Sequence, residues 1–158
     1  MDTTYTITYL ADCPDTIPQL AAWQQAQFGF LSPTQTEAAR GDRFRTHLQR
    51  QTIPTTFVAM ADGAPIGSAS LVVNDMSVLP DLTPWLAGVY VAPEHRRSGV
   101  GAALVRRVMV EAAALGVDRL YLYTHDRMRF YRGLGWETIA PRFYRGYLMT
   151  VMSCCLSA

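Results

Sequence analysis

The sequence predicts one α/β domain with a mixed central sheet and helices on both faces. Strand-like and helix-like apolar spacings alternate in the order β-α-α-β-β-β-α-β-α-β-β. A helical connection between the strands at 85–91 and 120–123 makes that pair parallel, with a right-handed crossover. No repeat, linker or low-complexity stretch interrupts the 158 residues, so 1–158 reads as a single domain long enough to bury a real core.

Tyr5–Tyr9 alternates polar and apolar side chains as a first strand. Asp12 to Asp15 supplies capping chemistry with Pro14 in place, and Ile17, Leu20, Ala21 and Phe28 recur at helical intervals until Gly29 and Ser32-Pro33 break the pattern. A second helix is expected from about Thr36 to Arg50, with Arg40, Arg43, Arg45 and Arg50 along it. Phe57–Ala61 and Ile66–Val73 flank Asp62-Gly63-Ala64-Pro65, a hairpin signal. Asn74–Pro84 reads as a loop, and Trp85–Val91 as a strand. Val100, Leu104, Val108, Ala112 and Leu115 mark the buried face of the next helix, with Arg106, Arg107 and Glu111 on its wet face and Gly116 at its end. Leu120–Tyr123 is a strand, and Asp126–Leu134 a short helix that Asp126 would cap and Gly135 would end. Trp136–Ile139 and Tyr144–Met152 complete the sheet.

Composition narrows the function classes. Hydrophobic residues make up 49% and charged residues 17%, which fits a globular chain. A net charge of +1, with no lysine at all, supplies no global field for nucleic acid. The start, Met1-Asp2-Thr3-Thr4, lacks a basic segment followed by an apolar one, so no signal peptide is evident. No apolar run reaches the ~20 residues that span a bilayer. Cys13, Cys154 and Cys155 have neither zinc nor redox spacing, so incidental thiols in a reducing cytoplasm and no metal site are expected. The apolar run at Leu148–Leu156 suits either a homodimer contact or a strand of the sheet itself.

Residues 89–101, Val-Tyr-Val-Ala-Pro-Glu-His-Arg-Arg-Ser-Gly-Val-Gly, carry the strongest signal. A β-branched and aromatic run stops at Pro93, a basic turn comes next, and helical spacing begins at Val100. Such a strand–turn–helix gathers backbone N–H groups at the positive end of a helix dipole, an anion site sized for phosphate or pyrophosphate. A lone Gly-x-Gly is also compatible with simple tight packing. No Gly-Lys-Ser/Thr is present after the strand, which excludes a nucleotide-triphosphate loop. Leu104 stands where a dinucleotide fold needs a third glycine, and the next strand ends in Thr124 rather than an acid.

The pattern Val91-x-Pro93-x-x-Arg96-Arg97-x-Gly99-x-Gly101 resembles the signature of the Gcn5-related N-acetyltransferases, which bind acetyl-CoA. One βα unit later, Phe130-Tyr131-x-x-Leu134-Gly135-Trp136 resembles that family's closing segment. The resemblance is strongest over 85–140 and implies a mostly antiparallel sheet in which the parallel pair 85–91 and 120–123 splays apart to admit pantetheine. It also implies that Arg96, Arg97, Ser98, Gly99, Val100, Gly101 and Ala102 hold the pyrophosphate, and that the 89–91 backbone (Val89, Tyr90, Val91) lines the pantetheine arm. Phe130 is assigned to packing or to the same arm. Thr124 and Arg127 stand where many members carry Asn and Ala, so Thr124 takes the place of a side chain that contacts pantetheine.

The implied activity is acetyl transfer from acetyl-CoA to a primary amine through a ternary complex. Tyr131 would serve as the acid toward the CoA thiolate. Candidates for the base are Asp75, Asp81, Glu94, His125 or a held water, with His125 favoured by its intrinsic pKa near ~6.5 and its position after a strand end. A shorter resemblance, Tyr123-Thr124-His125-Asp126 with Phe130-Tyr131, is to the branch containing the actin N-terminal acetyltransferase. It suggests an anionic small-molecule or peptide acceptor met by the helix-two arginines, Arg142 and Arg145, whereas Asp75, Asp81 and Trp85 would suit a cationic amine. A non-catalytic acyl-CoA sensor and a tRNA-acetylating toxin are the alternatives, the toxin disfavoured by the net charge.

Overall fold

The computed structural model describes residues 4–156. Seven strands form one sheet: β1 (Thr6–Tyr9), β2 (Thr55–Ala61), β3 (Ala64–Val72), β4 (Trp85–Val91), β5 (Arg119–Thr124), β6 (Glu137–Tyr144) and β7 (Tyr147–Cys155). Four α-helices accompany them: α1 (Ile17–Phe28), α2 (Glu37–Arg45), α3 (Val100–Ala114) and α4 (Met128–Arg132). The expected element order holds throughout. The spatial order is β1-β2-β3-β4-β5-β7-β6, and every neighbouring pair is antiparallel except β4 with β5.

The strand period sends alternate residues to two different helix layers. Phe57, Ala59, Ala69 and Leu71 pack with Leu104, Val105 and Val108 of α3, and Tyr131 and Trp136 extend the same core beyond β5. Val58 faces the other way, against Leu10, Ile17 and Leu20 of the α1 region and Phe44 of α2. The helices therefore lie on both faces, as predicted.

Several boundaries differ from the sequence reading. The second helix stops at Arg45 rather than Arg50, because Thr46 N–H and His47 N–H donate to the carbonyls of Arg43 and Phe44, three residues back, and tighten the last turn. Asp126 does not cap α4; Thr124 Oγ1 instead accepts from Arg127 N–H at 3.0 Å, and the helix begins only at Met128. Glu111 is buried rather than on the wet face of α3. The Tyr9 hydroxyl donates to both of its carboxylate oxygens, Gln51 N–H donates to it, and Arg107 pairs with it at 3.1 Å. Arg145 lies not in a strand but with Gly146 at the positive-φ positions of the β6–β7 hairpin turn. The run at Leu148–Leu156 is interior, since β7 pairs with β5 on one side and β6 on the other.

Two features of β4 open the sheet near its middle. Its parallel pairing with β5 is confined to Trp85 opposite Tyr121, so the two strands diverge immediately. On its other side, Ser68 pairs with Tyr90 but Ser70 pairs with Ala87, leaving two β4 residues, Gly88 and Val89, opposite Ala69. This β-bulge bends the strand away from β5. Gly88 takes φ +61, a left-handed conformation that a side chain would strain, and its carbonyl accepts from Gln24 Nε2 at 2.9 Å.

Candidate active site

A cleft of about 1050 Å³ opens where β4 and β5 part. One end is the turn into α3. Gly99 sits at φ +88 at the head of the helix, and its carbonyl takes the first helical bond, from Ala103 N–H at 3.0 Å. The N–H groups of Val100, Gly101 and Ala102 precede that bond and have no intrahelical partner. Arg97 adopts φ +62, so Arg97 and Gly99 together curl the backbone around one point. Val89, Tyr90, Val91, Arg96, Arg97 and Gly101 line this end. Ser98 is exposed, and its hydroxyl donates to the His95 carbonyl within the turn. Arg96 has a bracing role: its Nε donates to Val91 O at 2.8 Å and its guanidinium lies 5.4 Å from the centre of the Tyr90 ring. Val100 is buried beneath the turn and contributes backbone only.

Tyr131 and Phe130 line the middle of the cleft with Thr124. Tyr131 is 8% exposed, in edge contact with Phe130 at 5.0 Å and Trp136 at 6.2 Å. Burial pushes its phenol well above the ordinary value, so it stays protonated at any physiological pH. A protonated phenol beside the splay can act as a hydrogen-bond donor there.

The opposite end is built by side chains from distant segments. Arg40 and Arg43 of α2, Asp75 of the loop after β3, Tyr123 of β5 and Tyr144 and Arg145 at the end of β6 converge here. Arg40 is buried, with its Nε bonded to Gln25 Oε1 at 2.8 Å, and burial lowers its pKa. Burial raises the Asp75 carboxyl to about 7, although Arg43 and Arg145 pull it back down. Tyr123 meets Tyr144 edge-on at 5.5 Å, and burial with the nearby Asp75 charge drives its phenol upward. Burial alone would also raise Tyr144, but hydrogen bonds with Arg145 and Ser77 outweigh it and leave the phenol below its usual value. At the rim, Tyr147 meets Phe30 and His125 edge-on at 4.9 and 5.8 Å, and the Phe30 and His125 rings are tilted to each other with centres 6.3 Å apart.

Not every sequence candidate arrives. Trp85 is fully buried in a cluster with Leu31, Met76 and Tyr144, and its indole N–H donates to Leu82 O. It is core rather than acceptor contact, since burying such a ring contributes roughly 2–3 kcal/mol. Asp81 is exposed and outside the cleft, as are Glu94 and Arg142. Arg45 and Arg50 pair with Asp42 and Asp12 on the outer surface. Conversely, Gln24, His47 and Ser70 line the cleft although neither their types nor their spacing marks them in the sequence. Only Gly88, a glycine inside a strand pattern, is a usable signal for the bulge.

Among the described residues no group of three or more His, Cys, Asp or Glu is placed to hold a metal ion, and no helix is long and apolar enough to cross a membrane. The Acetyltransferase (GNAT) family profile matches residues 17–136. No curated protein sequence matches the chain. Among solved structures, an aminoglycoside 6'-N-acetyltransferase complexed with coenzyme A superposes with a TM-score of 0.77 at 13% identity, covering 97% of this chain and 98% of that one. The Escherichia coli ribosomal-protein-S18-alanine N-acetyltransferase gives 0.71 at 20% identity, covering 98% and 96%. An acetyltransferase from Streptococcus agalactiae gives 0.70 at 19% identity, covering 96% and 98%.

Proposed function

Because the chain belongs to the GNAT family of acetyltransferases, we propose that it moves the acetyl group of acetyl-CoA to a primary amine on a molecule that is itself anionic, through a ternary complex. One observation carries this reading: a single cleft joins the α3 turn to an end lined by Arg40, Arg43 and Arg145, where Arg43 and Arg145 act on Asp75.

The residues fit the donor. The unpaired N–H groups at the start of α3, with the exposed Arg97 beside them, suit a pyrophosphate. The one-rung β4–β5 pairing leaves the β4 edge open to the amides of pantetheine, in the manner of an added strand. Bound there, acetyl-CoA supplies an activated thioester. Asp75 takes the proton that an ammonium must lose before its nitrogen can attack, and a carboxyl raised to about 7 is far better matched to that task than an ordinary one. Tyr131 donates its phenolic proton to the sulfur as the carbon–sulfur bond breaks. His125, edge-on to Tyr147 at the exposed rim, guards the acceptor entrance and is not the base.

For the acceptor, three arginines against one carboxylate favour a negative group beside the amine. A polycation such as an aminoglycoside would meet repulsion. The test is release of free thiol from acetyl-CoA with a panel of amines. Acidic peptides or amino dicarboxylates should exceed neutral and cationic amines at least tenfold in kcat/KM. Equal rates would remove the anionic acceptor, and no release with any amine would remove the enzyme.

A further inference from the structure

A second polar feature opens into the acceptor half of the cleft. His47 Nδ1 lies 2.8 Å from Thr56 Oγ1, which lies 2.7 Å from Ser70 Oγ. Thr56 and Ser70 are cross-strand partners of β2 and β3 on the sheet face covered by α1 and α2, and His47 reaches them from the turn that ends α2. All three are buried, Thr56 completely. On that face the triplet lies beside Val58 and the apolar cluster of Leu10, Ile17, Leu20 and Phe44. The two ends of the chain, His47 and Ser70, line the cleft; Thr56 does not. Ser70 stands opposite Ala87, one residue before the β4 bulge, on the wall it shares with Arg43.

Each hydroxyl in the chain has one proton, so the state of Nδ1 sets what the hydroxyls can do. With Nδ1 protonated, His47 donates to Thr56, the Thr56 proton is freed for Ser70, and Ser70 can turn its own proton toward the cleft. With Nδ1 bare, the order reverses and Ser70 offers the cleft only lone pairs. Burial and the nearby Arg43 charge hold the ring neutral, with a pKa of about 4, so a third, doubly protonated state does not arise at working pH. An amine acceptor needs lone pairs to receive its N–H groups.

We propose that Ser70, Thr56 and His47 act as one amine-positioning unit, in which Ser70 Oγ accepts an N–H of the incoming amine and His47, with Nδ1 bare, orients it through Thr56. The unit is not the base: a group that protonates only near 4 is a poor place to leave an amine's proton, and Asp75 is better matched. The proposal rests on the acetyltransferase reading above and adds which side chains aim the nucleophile.

The experiment is steady-state kinetics of the whole protein with acetyl-CoA and the best amine of the panel. Ser70→Ala and Thr56→Val should each raise the acceptor KM about tenfold, the scale of one oriented hydrogen bond, with the acetyl-CoA KM unchanged. The double variant should be no worse than either alone, because both break the same chain. Thr56→Ser, which restores the hydroxyl, should recover the wild-type acceptor KM. A merely structural role predicts lowered melting temperatures with an unchanged acceptor KM, and that result would overturn the proposal. So would additive effects of the two substitutions, or a ¹⁵N spectrum showing His47 protonated at Nδ1. If the wild type releases no thiol with any amine, both this unit and the enzymatic reading fall; if it turns over and Thr56→Val leaves the acceptor KM alone, only the unit falls.

Discussion

The donor half of the cleft, from Val89 to Ala102, consists of consecutive residues presenting mainly backbone groups. The acceptor half instead gathers side chains from α2, β3, the loop after it, β5 and the β6–β7 turn. Backbone N–H groups are the same in every sequence, so a turn that aims them needs only a few glycines and arginines at fixed spacing. A side-chain cluster has no such spacing. The comparison predicts that damage to one half should alter one substrate and spare the other, with only the two proton-moving groups, Tyr131 and Asp75, affecting turnover itself.

The largest effects should come from those two groups. Tyr131→Phe should lower kcat roughly 10²- to 10³-fold while calorimetry shows CoA affinity intact. A sensor module would have no turnover to lose, so the same variant separates the two readings. Asp75→Asn should cost about 10²-fold in kcat/KM. In the wild type kcat/KM should rise with pH and level off above about 7, since the carboxyl must be ionised to act as base. The variant should lack that inflection; a retained one would mean another group is the base.

Next come the variants that isolate each half. Gly99→Val forces a β-branched residue to φ +88 at the donor turn, although the space around it is open. Backbone strain there costs on the order of 1–2 kcal/mol, so CoA binding should weaken about tenfold with the acceptor KM unmoved. Arg43→Gln should do the reverse, raising the KM of an acidic acceptor roughly tenfold with CoA affinity unchanged. If either variant moved both constants equally, the division of the cleft would fail.

The smallest effect is on stability, and here two groups within the acceptor half oppose each other. His47 has a folded pKa of about 4, below its unfolded 6.5, so its contribution is present above 6.5 and lost as pH falls toward 4. Asp75 has a folded pKa of about 7, above its unfolded 3.8, so the folded state holds the extra proton and stability is lost as pH rises from 3.8 to 7. Melting temperatures measured between pH 4 and 7 should slope more steeply downward with pH in His47→Gln and more steeply upward in Asp75→Asn, by ~5 °C across the window. Parallel curves for the two variants would show that neither group is buried as described.

Legibility divides along the same line. Every strand and α-helix is readable in order, because apolar periodicity and turn residues are local. The helix ends at Arg45 and Met128 are not, because hydrogen bonds of Thr46, His47 and Thr124 set them. Glu111 looks solvent-facing until β1 brings the Tyr9 hydroxyl against it. Asp75, Asp81 and Trp85 form one undivided stretch in the sequence, yet the fold sends Asp75 into the cleft, Trp85 into the core and Asp81 to the surface. Arg40 and Arg43 likewise part from Arg45 and Arg50 only when α2 turns one face to the cleft.

By itself the sequence determined the α/β order and the donor turn, since a strand, two glycines and a helix start suffice to aim backbone dipoles at an anion. The tertiary structure alone decided the acceptor side. Which arginines face the cleft, which carboxyl is desolvated and which hydroxyl a buried histidine orients all depend on what packs beside them. Solvation and hydrogen bonding act through space, not along the chain.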